Sequence, residues 1–96
     1  MAQQVTITTD AQVALKPLLE SALRSELRML ELSLQRTSQR LHAFEAQYGL
    51  TSNEFERRFN AGKLEESLDF IEWAGELKTL RLLEAQHQAL QGVQLT

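Results

Sequence analysis

The strongest constraint on this sequence is a repeat of apolar residues that alternates steps of four and three. Its positions are Leu23, Leu27, Leu30, Leu34, Thr37, Leu41, Phe44 and Tyr48. A repeat sustained over more than three heptads is typical of a helix that packs along its length against another helix. Running from Pro17 to Tyr48, such a helix would be about 45 Å long. The remaining chain can cover only part of it, so the repeat predicts self-association.

The N-terminal segment VTITT alternates Val5 and Ile7 with threonines, which is the pattern of a short strand with one apolar face. No second strand-like segment follows, so this strand would pair with its copy in another subunit or with a different protein; the alternative is a frayed terminus. The sequence thus predicts a homodimer formed through the strand, the heptad repeat or both. The expected dimerisation residues are Val5, Ile7, Leu23, Leu27, Leu30, Leu34 and Leu41.

A sharp corner is predicted after Tyr48. Gly49 can adopt the left-handed conformation that ends a helix. Thr51 and Glu54 then have the spacing of a capping box, with Thr51 as N-cap and the Glu54 side chain reaching back. Leu50 and Phe55 occupy the positions of a hydrophobic staple across that cap. The long helix is therefore followed by a turn and a new, short helix.

Two further signals complete the helical layout. Gly62 is suited to end the short helix, and Ser67 is suited to begin the next one. Pro17 predicts a kink, or a new helix that begins near Lys16 and Pro17. We expect an all-α fold, a helical hairpin or bundle in a single domain over residues 1–96. Its parts are a strand or arm over 1–9, a long helix over 10–48, a corner helix over 51–61 and a C-terminal helix over 67–91.

The composition excludes several functional classes. Without cysteine there is no disulfide framework, and we expect a reducing, cytoplasmic setting. Ten Lys and Arg against thirteen Asp and Glu lack the basic balance typical of nucleic-acid binding. No apolar run approaches the ~20 residues of a membrane span. We expect no direct contact with nucleic acid or with a membrane.

The sequence also lacks the motifs of catalysis. It has no cysteine nucleophile, no serine on a strand-turn-helix elbow and no glycine-rich phosphate loop. Glu84 and His87, three residues apart on a helix, form half of a di-iron motif, but the site also needs two further inward carboxylates, and His42 and Glu45 on another helix have the reversed order. We expect no enzyme activity, no cofactor and no metal site. A metal-dependent bundle enzyme is kept as an alternative.

The C-terminal helix carries apolar residues on two faces and an acidic ridge between them. The ridge contains Glu65, Asp69, Glu72 and Glu76, spaced four, three and four residues apart. Beside it lie the aromatic residues Phe70 and Trp73. Aromatic anchors within a charged surround are typical of a partner-binding surface, and the negative charge favours a basic partner. The alternative is that Phe70 and Trp73 pack in the core on Leu41 and Phe44.

The run from Phe44 to Leu80 resembles a little-characterised family of small prokaryotic proteins. In that family a long helix leads to a Tyr-Gly-hydrophobic-Ser/Thr corner, then Phe, then an acidic segment before Glu-Trp. The matching positions here are Tyr48, Gly49, Leu50, Thr51, Phe55, Phe59, the segment Glu65 to Asp69, Glu72 and Trp73. Such proteins are often the smaller member of toxin-antitoxin-like gene pairs. The resemblance implies an antitoxin-like protein that binds a cognate toxin-like partner.

A ribbon-helix-helix-like DNA-binding regulator is a second alternative, because a strand followed by a helix begins that fold. The polar face of the predicted strand carries Thr6 and Thr8 but neither Arg nor Lys, and the helix that follows is far too long. The arginines of the long helix, Arg24, Arg28, Arg36 and Arg40, are scattered around it and predict a solvated face. A protein-binding function is therefore favoured.

Overall fold

The computed structural model describes residues 3–5 and 12–95, and side-chain surroundings for residues 15–93. Three helices dominate this part of the chain: α1 over Gln12–Tyr48, α2 over Ser52–Asn60 and α3 over Leu68–Gln91. This confirms the all-α prediction. Two three-residue strands, β1 over Gln3–Val5 and β2 over Val93–Leu95, pair in parallel.

The strand or arm predicted over 1–9 contains β1, but the segment VTITT that carried the strand pattern overlaps β1 only at Val5. Its other apolar residue, Ile7, lies outside the described residues. In the described part, β1 pairs with β2 of the same chain, with Val5 opposite Leu95. The sequence did not predict β2, because three residues are too few for a period-two pattern to be recognised. Pairing of the N-terminal strand between subunits stays a prediction.

Helices α1 and α3 form an antiparallel hairpin. At one end of the hairpin, Tyr48 at the end of α1 donates a hydrogen bond to Asp69 at the start of α3. Farther along, Leu30 of α1 and Leu90 near the end of α3 line the same cleft. The hairpin makes the molecule elongated, with dimensions of 60 × 21 × 17 Å. Helix α1 is continuous through Pro17, so a new helix beginning at Pro17 is wrong. Pro17 is the sixth residue of α1, and without an N–H it cannot donate the hydrogen bond that the carbonyl of residue 13 would accept.

The heptad repeat of α1 is used within the chain. Leu30 and Leu41 are only 6% and 5% exposed, and Leu41 shares a core cluster with Trp73 and Leu77 of α3. These leucines, which we expected to pack between subunits, are therefore covered by α3 of the same chain. The physical reason is that the corner reverses the chain and lays the apolar strip of α3 along the repeat. Leu23, Leu27 and Leu34 of the same repeat are half-buried, and packing of these residues between subunits stays a prediction.

Both glycine predictions at the corner are confirmed. Gly49 has φ of +66° and Gly62 has φ of +71°, which is the left-handed region. The N–H of Gly49 donates to the carbonyl of Glu45, and the N–H of Lys63 donates to that of Arg58. The carbonyl groups at the ends of α1 and α2 thus receive the hydrogen bonds that a helix terminus lacks.

The predicted capping box forms only in part. The hydroxyl of Thr51 accepts a hydrogen bond of 3.1 Å from the N–H of Glu54, as expected. The Glu54 carboxylate, however, accepts hydrogen bonds from Arg57 and Arg58 instead of reaching back. These bonds lower the pKa of Glu54 to about 2. Two arginines compete successfully for a carboxylate that the capping pattern assigns to the backbone.

Replacement of Thr51 by alanine should lower the free energy of unfolding by about 1 kcal/mol, because α2 loses its N-cap hydrogen bond. Asn53 is an exposed residue of the same helix that does not cap it. Asn53→Ala is therefore the matched control and should change the free energy of unfolding by less than about 0.5 kcal/mol. Urea unfolding followed by circular dichroism measures both. Equal stabilities for the two variants would contradict the cap assignment.

Candidate partner-binding groove

The aromatic residues at the corner form one stacked cluster around Trp73. Its side chain is 0% exposed, and its ring stacks on Phe55 with centroids 3.9 Å apart and an interplanar angle of 1°. Phe44 stacks on the same indole at 5.5 Å. The indole N–H donates a 3.0 Å hydrogen bond to the buried hydroxyl of Ser52. Trp73, a predicted partner-binding residue, is therefore in the core and offers no surface to a partner in this fold.

Phe70 joins this cluster from the start of α3. It is half-buried, and the centroid of its ring lies 5.0 Å from the ring centroid of Tyr48 and 5.6 Å from that of Phe55. The Tyr48 hydroxyl donates a hydrogen bond to Asp69, which raises the pKa of the phenol. Asp69 thus helps to attach the start of α3 to the end of α1, in addition to carrying charge.

The four acidic residues of the ridge do not share one helix face. Glu65 is exposed and lies before α3, which begins at Leu68, so it falls outside the helical spacing. Glu72 is exposed and Glu76 is half-buried, and both border a groove between α1 and α3. The structure therefore brings Glu72 and Glu76 together and leaves Glu65 apart from them.

This groove has a volume of about 500 Å³. It is lined by Arg40, Ala43, Phe44, Gln47, Glu72, Gly75, Glu76 and Thr79. Small residues from both helices, Ala43 and Gly75, contribute to its lining, and a Cβ atom built on Gly75 would meet nothing within 4 Å. The groove is open because these positions lack large side chains.

The carboxylate of Glu76 is the most distinctive group in the groove. One oxygen, Oε1, accepts a 3.3 Å hydrogen bond from Arg40. The other, Oε2, is buried and has no hydrogen-bond donor among the described residues. A buried polar atom without a partner costs about 1–3 kcal/mol, and more when it is charged. A donor supplied from outside the chain would remove this cost.

Helix α2 covers a different side of the hairpin. Its first residues, Ser52 and Asn53, share a second groove with His42 and Glu45 of α1. The Glu45 carboxylate accepts a 2.7 Å hydrogen bond from the N–H of Ser52. Residues of α2 therefore line this second groove, whereas the groove of Glu72 and Glu76 is lined by α1 and α3 alone.

A pair of hydrogen bonds from Arg81 of α3 to Glu56 fixes α2 further and lowers the pKa of that carboxyl group. Because this contact joins residues of α2 and α3 that are 25 positions apart in sequence, it attaches the corner helix to the hairpin at a second point. The corner is thereby held as a unit with the two long helices.

The alternative metal motif is not assembled into a larger site. Glu84 is exposed and borders the second groove, while His87 is half-buried. Among residues of the described ranges, no group of three or more His, Cys, Asp or Glu side chains is placed to hold a metal ion. In the same ranges, no helix has both the length and the apolar character needed to cross a membrane.

The chain was compared with models of known families, with curated proteins and with solved structures. No family model, no curated protein and no solved structure matches it. The antitoxin-like resemblance therefore stays a hypothesis, and the groove is interpreted from its own geometry.

Arg40 is the charged residue of the groove lining that the sequence analysis did not assign to a site. It lies 36 residues from Glu76 in sequence, so helical spacing could not connect the two residues. The scatter of the arginines around α1 had instead predicted that Arg40 is solvated. The mid-helix Gly75 was a usable signal, because glycine inside a helix costs about 1 kcal/mol relative to alanine and calls for a packing reason.

Proposed function

We propose that this chain is a protein-binding module, antitoxin-like in role, that acts in the cytoplasm as a homodimer and docks a basic partner protein in the groove between α1 and α3. The observation that carries the proposal is the buried Oε2 atom of Glu76, which lacks a donor among the described residues and belongs to the groove lining. Proteins rarely leave a buried charged acceptor without a partner unless the site has a further role.

The charges of the groove favour a cation as the occupant. Glu72 is exposed and takes part in none of the ion pairs formed by the described residues. Glu76 is shared with Arg40, whose side chain is 62% exposed and therefore holds the carboxylate only weakly. An arginine of a partner can donate to Oε2 of Glu76.

The surface area of the chain also supports association. Its accessible surface is 7099 Å², whereas a compact monomer of 11.0 kDa exposes about 5,600 Å². Its radius of gyration is 18.7 Å, against about 12.5 Å for a compact domain of this length. The surplus is about 1,500 Å² for this one chain, which exceeds the ~800 Å² that each partner buries in a standard protein interface. An elongated hairpin of this kind gains stability from a partner.

No observation favours the ribbon-helix-helix alternative. That fold pairs antiparallel strands from two subunits. Here β1 pairs in parallel with β2 of the same chain, and Thr6 and Thr8 lie outside the described residues.

Glu76→Gln should weaken binding of the basic partner by at least about tenfold, because it removes a charge that the partner's cation would neutralise in a partly buried site. The fold should survive, since glutamine has the same shape. Glu31→Gln, an exposed acid of α1 outside the groove, is the matched control and should bind like the parent.

The partner is first captured from the native host with the tagged chain, identified by mass spectrometry and purified. Its Kd for the parent and for both variants is then measured by titration calorimetry. Two results would overturn the proposal: an acidic partner, or a Kd that Glu76→Gln leaves unchanged while circular dichroism shows a folded variant.

A further inference from the structure

The outward face of α3 carries a second heptad repeat that is not covered by the described part of the chain. Its positions are Leu68, Ile71, Gly75, Lys78, Leu82, Ala85 and Ala89, and all of them are exposed. The three large apolar side chains among them, Leu68, Ile71 and Leu82, are 78%, 55% and 59% exposed. Alternating steps of three and four residues are those of a face that packs against another helix. A helix of another molecule can pack on such a face.

Gly75 lies at the middle of this face, and packing within the chain does not account for it. Its φ is not positive, so the backbone does not require glycine. A Cβ atom built there would meet nothing within 4 Å, so no close approach by the described residues requires glycine either. Glycine inside a helix nevertheless costs about 1 kcal/mol relative to alanine. Close approach of a helix from another molecule would explain its presence.

Six of the seven positions are paired about the midpoint between Glu76 and Leu77, namely 68 with 85, 71 with 82 and 75 with 78, whereas Ala89 has no counterpart within α3. Residues at equal distances on either side of this point come opposite each other when a second copy of α3 packs antiparallel. Ile71 then meets Leu82 of the other copy, and Gly75 meets Lys78 of the other copy. A large apolar side chain faces another large apolar one, and the residue without a side chain faces a long one. The two copies therefore complement each other in volume.

The same arrangement complements charge. Lys78 of one copy would lie one helical turn from Glu72 of the other, within reach of its long side chain. Neither Lys78 nor Glu72 forms an ion pair with another described residue. The two-fold symmetry produces this Lys–Glu pair twice. Opposite charges beside an apolar seam are the usual determinants of pairing between helices.

We propose that a second copy of this chain docks on the outward face of α3 in antiparallel orientation, with the two-fold axis between Glu76 and Leu77. This rests on the homodimer of the proposed function and replaces the heptad repeat of α1 as its interface. The face borders the partner groove at Gly75, so the two copies would present two grooves on one assembly.

Sedimentation equilibrium of the purified chain, without any partner, tests the proposal. The parent should be a dimer at micromolar concentration, and Leu82→Glu should raise the dimer Kd by about tenfold or more, because it places a charge in the seam. Leu32→Glu, the same change on the exposed face of α1, is the matched control and should leave the dimer intact. A monomeric parent, or a dimer lost in Leu32→Glu and kept in Leu82→Glu, would overturn the proposal.

Cysteine cross-linking tests the orientation, and the chain has no cysteine of its own to interfere. Equal amounts of Ile71→Cys and Leu82→Cys chains are mixed and oxidised. The antiparallel arrangement predicts mixed dimers joined between the two positions, and little cross-linking in either variant alone, because a disulfide requires Cα atoms within about 7 Å. Predominant cross-linking of Ile71→Cys to itself would overturn it. Neither result depends on Glu76, so failure here is distinguishable from failure of the groove proposal.

Discussion

Replacing Trp73 by alanine is expected to lower the free energy of unfolding by about 3–5 kcal/mol. The indole is fully buried and stacks on Phe55 and Phe44, so the substitution leaves a cavity where α1, α2 and α3 meet. It also leaves the Ser52 hydroxyl without its buried donor. Small domains are stable by about 5–15 kcal/mol in total, so the variant should lose much of its stability.

Two companion variants separate stacking from hydrogen bonding. Trp73→Phe keeps an aromatic ring in the stack and loses the indole N–H, so it should cost less than Trp73→Ala. Ser52→Ala leaves the indole N–H buried without its acceptor and should cost about 1–3 kcal/mol. Urea unfolding at equal protein concentrations measures the free energy of unfolding of all three variants. A loss below about 1 kcal/mol for Trp73→Ala would contradict the central packing of the indole.

The ends of the helices could be predicted from sequence because their signals are local. Gly49 and Gly62 end α1 and α2 with positive φ, and the hydroxyl of Ser67 accepts from the N–H of Phe70 as an N-cap does. Each signal depends on residues within four positions of one another, so spacing alone is sufficient. The layout of three helices follows from these signals together with the apolar periodicity.

The choice of interface could not be predicted, because periodicity shows that a face is covered without showing which helix covers it. The repeat containing Leu30 and Leu41 has the spacing of a pairing between subunits, yet α3 of the same chain fills it. The register of the α1–α3 hairpin decides this, and it depends on the corner geometry rather than on either helix alone.

The same limit applies to the groove. The helical spacing of Glu72 and Glu76 could be predicted, because both lie on one helix. The pairing of Glu76 with Arg40 joins residues on two helices and requires the hairpin register. At the corner, the acid that binds the N–H of Ser52 is Glu45, which a capping pattern cannot identify because it comes from α1. Contacts between elements were therefore the part that sequence reasoning missed.

Leu41→Ala should lower the free energy of unfolding by about 2–5 kcal/mol, because it opens a cavity in the core cluster of Phe55, Trp73 and Leu77. Leu32→Ala, on the same helix but 54% exposed, is the matched control and should cost less than about 0.5 kcal/mol. The informative comparison repeats Leu41→Ala in the Leu82→Glu variant, which the proposed α3 interface predicts to be a monomer. If the repeat of α1 packs within one chain, Leu41→Ala should cost the same there, since distant sites contribute additively. If Leu41→Ala no longer lowers the free energy of unfolding in the Leu82→Glu variant, Leu41 packs between subunits instead.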